Sequence, residues 1–163
     1  VCPVQDAVAT PRPTATPASA PLKTPAPSTG DDYTTPSSQV QEEILLNLLN
    51  QERIAQGLSP LTLDAELSRI ARIKSTDMRD NHYFAHESPT YGHVSDMLKT
   101  FGYSFSGAGE NIAHHATTEK AHAAFMSSDG HRRNILSSAW QKVGLGIVYD
   151  ANGYVYVTQI FVR

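Results

Sequence analysis

Lys142-Val143-Gly144-Leu145-Gly146-Ile147-Val148-Tyr149, then Asp150-Ala151-Asn152-Gly153, then Tyr154-Val155-Tyr156-Val157-Thr158-Gln159-Ile160-Phe161-Val162 nearly closes the chain, and this stretch decides the fold. Asn-Gly between two apolar runs is a strong hairpin signal, so 142–149 and 154–162 are read as paired strands. Both runs are apolar on either parity: Val143, Leu145, Ile147 and Tyr149, then Val155, Val157 and Phe161 beside Tyr156 and Ile160. A sheet apolar on both faces needs cover on both faces. The segments upstream are helical, and they suffice for two layers. The expected fold is α+β: a three-layer α/β/α sandwich around a central, mostly antiparallel sheet.

Working back from the hairpin, the helices show themselves by period and punctuation. Val40, Ile44, Leu45, Leu48, Leu49 and Ala55 recur at helical spacing, with Ser38 and Gln41 as a capping box and Gly57 as the stop. Pro60 lies in a short extended link. A second helix opens near Asp64 and carries Leu67, Ile70, Ala71, Lys74 and Met78 along one face, ending near Asn81; Lys74 is expected to lay its alkyl stem on the core edge. Pro89 and Gly92 break the segment from His82 to His93 into a loop. Short helices are expected over 95–101, 118–126 and 129–136. Between the first two of these, Ser106, Gly107 and Gly109 keep the chain from being helical.

The composition changes sharply near residue 37. Between Ala9 and Pro36, 21 of 28 residues are Ala, Thr, Pro or Ser, and large apolar residues are almost absent. Such a segment buries too little apolar surface to offset the entropy of ordering it. Residues 1–37 are therefore read as a disordered spacer, of the kind that holds a module off an envelope or serves only for reach, and 38–163 as the folded domain. Cys2, the single cysteine, cannot close an internal disulfide. It is a candidate for lipid attachment, although Val1 takes the first position that a mature lipoprotein gives its cysteine. No apolar run reaches the roughly 20 residues of a membrane-spanning helix. A net charge of −3 from 13 basic and 16 acidic residues gives no footprint for nucleic acid.

Seven histidines are the compositional oddity. His82-Tyr83-Phe84-Ala85-His86-Glu87-Ser88-Pro89 places two of them four apart, yet Pro89 argues against a helix and the order is not the His-Glu-x-x-His of zinc proteases. Gly107-Ala108-Gly109-Glu110-Asn111-Ile112 leads a glutamate into an apolar stretch, where partial desolvation is expected. Ser127-Ser128-Asp129-Gly130-His131-Arg132-Arg133-Asn134-Ile135-Leu136 sets His131 in the first turn of a helix, which disfavours the imidazolium and suits the ring to accept a proton or bind a metal. Each has a structural reading as well: packing, capping, or a solvated strand edge. His114, His115 and His122 are read as surface histidines, joined by no geometry to the others.

Together, in this order, Phe84-Ala85-His86-Glu87-Ser88-Pro89, Gly109-Glu110-Asn111-Ile112, Gly130-His131-Arg132-Arg133-Asn134-Ile135-Leu136 and Val143-Gly144-Leu145-Gly146 resemble the CAP superfamily of cysteine-rich secretory, antigen 5 and pathogenesis-related proteins, and its bacterial SCP-like secreted branch above all. The resemblance covers about 40–163. It implies a three-layer sandwich, secretion or envelope association, and a cleft lined by two histidines and two acids. By motif these are His86, Glu110 and His131. The fourth is Asp96, ten residues after the first histidine, where the family usually has Glu. In some members the two histidines bind zinc or another divalent cation, so His86 and His131 are the candidate metal ligands.

Two imidazoles and water make an incomplete zinc shell, open to a ligand oxygen or able to activate water. Three functions compete. The cleft binds a lipid, sterol, peptide or cell-wall fragment; or it is a metal-assisted hydrolase with Glu110 as general base; or the domain is a non-catalytic envelope adaptor. Ser88 invites a serine-hydrolase reading, but two loop residues so close in sequence need not face each other. His93 is a candidate third cleft histidine.

Overall fold

The structure is a computed structural model, and it describes residues 36–163. Cys2 and the spacer up to residue 35 lie outside those residues, while Pro36 and Ser37, read as the end of the spacer, belong to the first helix.

The elements are α1 (Pro36–Ala55), β1 (Thr62–Leu63), α2 (Ala65–Asp80), α3 (Val94–Thr100), β2 (Ala108–His115), α4 (Thr118–Ser127), α5 (Asp129–Ile135), β3 (Lys142–Tyr149) and β4 (Val155–Val162). The four strands lie in the order β1-β3-β4-β2. β4 pairs antiparallel with both β3 and β2, and β1 adds two parallel residues to β3. The hairpin is as the sequence indicates. Gly153 takes a positive φ of 79°, and Gly153 N–H donates to the Asp150 carbonyl.

Two separate cores confirm the three layers. On one face Leu67, Ile70, Ala71 and Ile73 of α2 and Met97 and Leu98 of α3 pack on Ile160 and Val162. On the other, Leu45 and Leu49 of α1, Ala121 and Phe125 of α4 and Ile135 of α5 pack on Val143, Leu145, Ile147, Val157 and Phe161. The glycines of β3 set the first spacing. A Cβ on Gly144 would stand 2.4 Å from the backbone of Leu67, and one on Gly146 2.2 Å from that of Ala71. The α2 backbone lies directly on β3, and only glycine permits it.

α2 follows its expected course. Asp64 accepts from Leu67 N–H as its N-cap, and Asn81 is its C-cap. α1 departs from expectation. It begins at Pro36, so Ser38 is a buried residue of the first turn instead of the cap. Val40 and Ala55 are exposed; the buried stripe is Ser38, Glu42, Leu45, Leu49 and Arg53. Two charged residues occupy that stripe because each finds a distant partner. Glu42 accepts from Nε and Nη2 of Arg72. Arg53 gives one nitrogen to the carbonyls of Ile135 and Ser137, at 2.7 and 2.8 Å, closing the C-terminus of α5.

Candidate functional site

β2 is an edge strand, and its alternation decides the site. Glu110 pairs with Ile160 and Asn111 with Gln159. Ile160 belongs to the α2 layer, and Asn111 bonds to residues of α5, so consecutive residues of β2 serve opposite layers. The sequence did not mark 108–115 as a strand; Gly109, Glu110, Asn111 and two histidines are poor strand formers, and the strand exists because β4 offers it eight partners.

On the α2 side, His86 Nδ1 lies 2.9 Å from Glu110 Oε1. The glutamate side chain is 4% exposed and the imidazole 41%. When Nδ1 carries the proton it donates to the carboxylate, and Nε2 is left as an acceptor. Glu110 Oε2 is buried and has no hydrogen-bond partner among the described residues. Lys74 stands behind the pair. It is not at the core edge: it is 1% exposed, and its Nζ donates to the carbonyls of Ala85 and His86, both at 2.9 Å. Burial lowers the pKa of its ammonium, and the charges of Glu110 and Asp77 oppose that.

On the other side, His131 lies in the first turn of α5, half-buried, with its ring edge-on to Phe125 at 5.2 Å. Its carbonyl accepts from Asn111 Nδ2 at 3.1 Å. Asn134 Nδ2 donates to Asn111 Oδ1 at 2.9 Å and to the Glu110 carbonyl at 3.3 Å. Trp140 Nε1 then donates to the Asn134 carbonyl at 3.0 Å. This amide chain ties the helix of His131 to the residue that meets His86. Asn111 and Asn134 stand in the quoted motifs without an assigned role; the structure makes them the frame of the site.

Asp96 is exposed and works as a cap, its Oδ2 accepting from His93 N–H at 3.2 Å. His93 is the exposed N-cap residue of α3. Ser88 is buried and committed: its Oγ donates to Asp77 Oδ2 at 2.6 Å and accepts from the amides of Thr90 and Tyr91. Among the remaining histidines, His114 Nε2 pairs with Asp150 at 2.8 Å and its ring stacks on Tyr156 at 4.0 Å, closing the hairpin onto β2. His122 is not a surface residue. It is 6% exposed, and its Nε2 lies 3.8 Å from Glu52.

The residues that would hold a divalent cation are His86, beside Glu110, and His131, whose carbonyl meets Asn111. Among the described residues no group of three or more His, Cys, Asp or Glu is placed to hold a metal ion, so such a site would be open and completed by water or ligand. The His86–Glu110 bond is the arrangement by which a carboxylate fixes the tautomer of a metal-ligating imidazole.

Comparison with known proteins agrees with this fold. The chain is 45% identical over 140 residues to the uncharacterized protein YkwD of Bacillus subtilis, covering 82% of this chain and 54% of that one. An extracellular SCP-domain protein of Bacillus anthracis superposes with a TM-score of 0.70 at 34% identity, over 80% of this chain and 44% of its own. An outer surface protein of Borrelia burgdorferi shares the fold, with a TM-score of 0.72 at 16% identity, over 77% of this chain and 93% of its own. This chain thus spans about half the length of YkwD and of the anthracis protein. The model of the cysteine-rich secretory protein family, CAP, matches residues 46–161, and the chain belongs to that family.

Proposed function

We propose that this chain is an extracellular or envelope-associated CAP module that binds a ligand at the open edge of β2, with His86, Glu110 and His131 as its polar anchor and Asp96 on the α3 side. The ligand is a lipid, sterol, peptide or cell-wall fragment. The observation that carries the reading is the His86–Glu110 pair at 2.9 Å; with the neutral ring donating from Nδ1, it leaves the second nitrogen of a half-exposed imidazole as an acceptor for a ligand. His86 and His131 would hold a divalent cation such as zinc, which when bound supplies a Lewis acid for a ligand oxygen. Glu110 orients the imidazole and holds its proton at Nδ1. The placement outside the cytoplasm is supported by the anthracis relative, described as extracellular. No helix among the described residues is long and apolar enough to cross a membrane.

The hydrolase reading places Glu110 as general base, and its unpartnered Oε2 is the atom that would serve. Against it, Oε1 is engaged by His86. The separate serine-hydrolase reading is disfavoured because Ser88 Oγ is taken up by Asp77 and two amides. The deciding experiment is mass spectrometry of the native, untreated protein for bound metal and co-purified ligand, repeated on His86→Ala with His131→Ala. Retention by the native protein and loss by the variant is the expected result. An identical mass profile in both would end the reading. Turnover of casein or peptidoglycan that vanishes in Glu110→Gln would replace it with the hydrolase.

A further inference from the structure

The segment that carries His86 has little to hold it. Between α2 and α3 the chain forms no helix and no strand of the sheet, only one local bridge between Ser88 and Gly92. Yet its histidine meets Glu110 at hydrogen-bonding distance. We propose that Lys74 and Asp77, one turn apart on the buried face of α2, are the positioning residues of His86: a cation and an anion on which the 81–90 loop is hung, so that the imidazole stands against Glu110 before any ligand arrives. This deepens the reading above, in that it takes His86 as the ligand-facing residue.

The two residues grip the loop at complementary groups. Lys74 takes acceptors at the apex, the carbonyls of Ala85 and His86, and its Nζ lies 5.2 Å from the centre of the Tyr83 ring. Asp77 takes donors from both flanks. Its Oδ1 accepts from Asn81 Nδ2 at 2.7 Å and from Thr90 Oγ1 at 3.2 Å. Its Oδ2 accepts from Ser88 Oγ at 2.6 Å and from the Tyr83 hydroxyl. Residues 81 and 83 before the histidine, 85 and 86 at the apex, and 88 and 90 after it are thereby fixed to one helix. That helix is itself seated on β3 by Gly144 and Gly146, so the imidazole is referenced to the central sheet.

Neither charge is available for chemistry of its own. Lys74 is 1% exposed and bonded to two carbonyls, and Asp77 is 7% exposed with four side-chain donors on its two oxygens. Their effect is transmitted through the loop. An apolar residue at either place would fill the volume and leave the loop's polar groups without partners, so the loop would seek others and carry His86 away from Glu110.

The test uses the full chain without ligand. Lys74→Met keeps the stem and removes the ammonium; Asp77→Asn removes the anion. Leu49→Ala, in the opposite core layer, is the control for loss of stability alone. Long-range proton–nitrogen NMR reads the tautomer of His86, and titration calorimetry reads the affinity for zinc. The native protein and Leu49→Ala are expected to show one neutral tautomer with the proton on Nδ1. Lys74→Met and Asp77→Asn are expected to show a mixture, with zinc affinity lower by about 10–100-fold. A native His86 spectrum in a folded Lys74→Met protein overturns the proposal. If that variant does not fold, Tyr83→Phe with Ser88→Ala strips two donors from Asp77 and leaves α2 intact; an unchanged tautomer there overturns it equally. Zinc that fails to bind the native protein would refute the metal reading alone, because the tautomer is measured without metal.

Discussion

Glu42 and Arg72 form a two-pronged ion pair, at 2.8 and 2.7 Å, that joins helices on opposite faces of the sheet. Its position explains why it exists. β1 covers only the first two residues of β3, so the rest of that edge has no strand beside it. Leu145 N–H is taken by Ser68 Oγ at 3.2 Å and Ile147 N–H by Glu42 Oε1 at 3.4 Å. Side chains from both layers thus seal an edge that would otherwise present a template for foreign strands.

Glu42→Ala is therefore expected to cost about 3–5 kcal/mol, because it leaves Arg72 unpaired in a largely buried setting and uncovers the Ile147 amide. Adding Arg72→Met should recover part of the loss, since an uncharged site needs no partner. Chemical denaturation of the single and double variants measures both steps. If the single variant lies within about 0.5 kcal/mol of the native protein, the pair has no sealing role.

The glycines of β3 and α5 give opposite expectations for one substitution. Gly146→Ala drives a methyl to 2.2 Å from the backbone of Ala71, and α2 must lift from the sheet. A loss of about 1–3 kcal/mol or more follows. Gly130 lies in α5, where a Cβ would have nothing within 4 Å. Gly130→Ala is expected to gain roughly 0.4–1 kcal/mol by restricting the unfolded chain. Thermal midpoints of the two proteins should move in opposite directions; a shift of the same sign would remove the packing argument.

What the sequence shows and what it hides divide along the range of the interactions. The hairpin, its turn and the stripe of α2 are written in neighbours: Asn152-Gly153, the alternating valines, Leu67 to Met78 at helical spacing. The motifs of His86, Glu110 and His131 are legible as an ordered set, and the fold they imply is the one observed. Hidden are residues whose reason lies far along the chain. Arg53 is buried because carbonyls 82 and 84 residues later need a donor. Glu42 is buried for the edge of β3, 105 residues away. β2 has little strand propensity of its own and is recruited by β4. Lys74 illustrates the limit best. Its place on the apolar face is visible in the period, but the two carbonyls that receive its ammonium belong to a loop without regular structure.

His122 predicts a pH dependence. Burial disfavours the imidazolium and lowers its pKa from the ordinary 6.5, with Glu52 pulling weakly the other way. Below about pH 6.5 the unfolded chain gains a proton that the folded protein declines. Stability should be full above that value and fall as pH drops through the lowered range, because the unfolded state binds more protons there. His122→Gln should flatten the slope between pH 7 and 5, and Glu52→Gln should steepen it by removing the partner. Midpoints of urea unfolding across that range check both. A slope unchanged in His122→Gln would assign the acid sensitivity to other groups.

Asn111 is the hinge of the amide chain, and a single tryptophan reports on it. Asn111 is fully buried, donates to the His131 carbonyl and to Gln159 Oε1, and accepts from Asn134. Trp140, the chain's one tryptophan, donates to the Asn134 carbonyl and packs over Phe161. Asn111→Ala strands one donor and two acceptors at the junction of β2 and α5, and should cost at least about 2 kcal/mol. Its loss should also loosen α5, so the native-state emission of Trp140 is expected to shift to the red at denaturant concentrations where the circular dichroism of the sheet is unchanged. Gln159→Ala removes only one arm of the network and leaves Asn134 bonded, so its emission should stay native. If Asn111→Ala lowers stability but Trp140 keeps its native spectrum until global unfolding, the packing of Phe125 and Ile135 and the bonds from Arg53 suffice to hold α5, and the amides are no frame for His131.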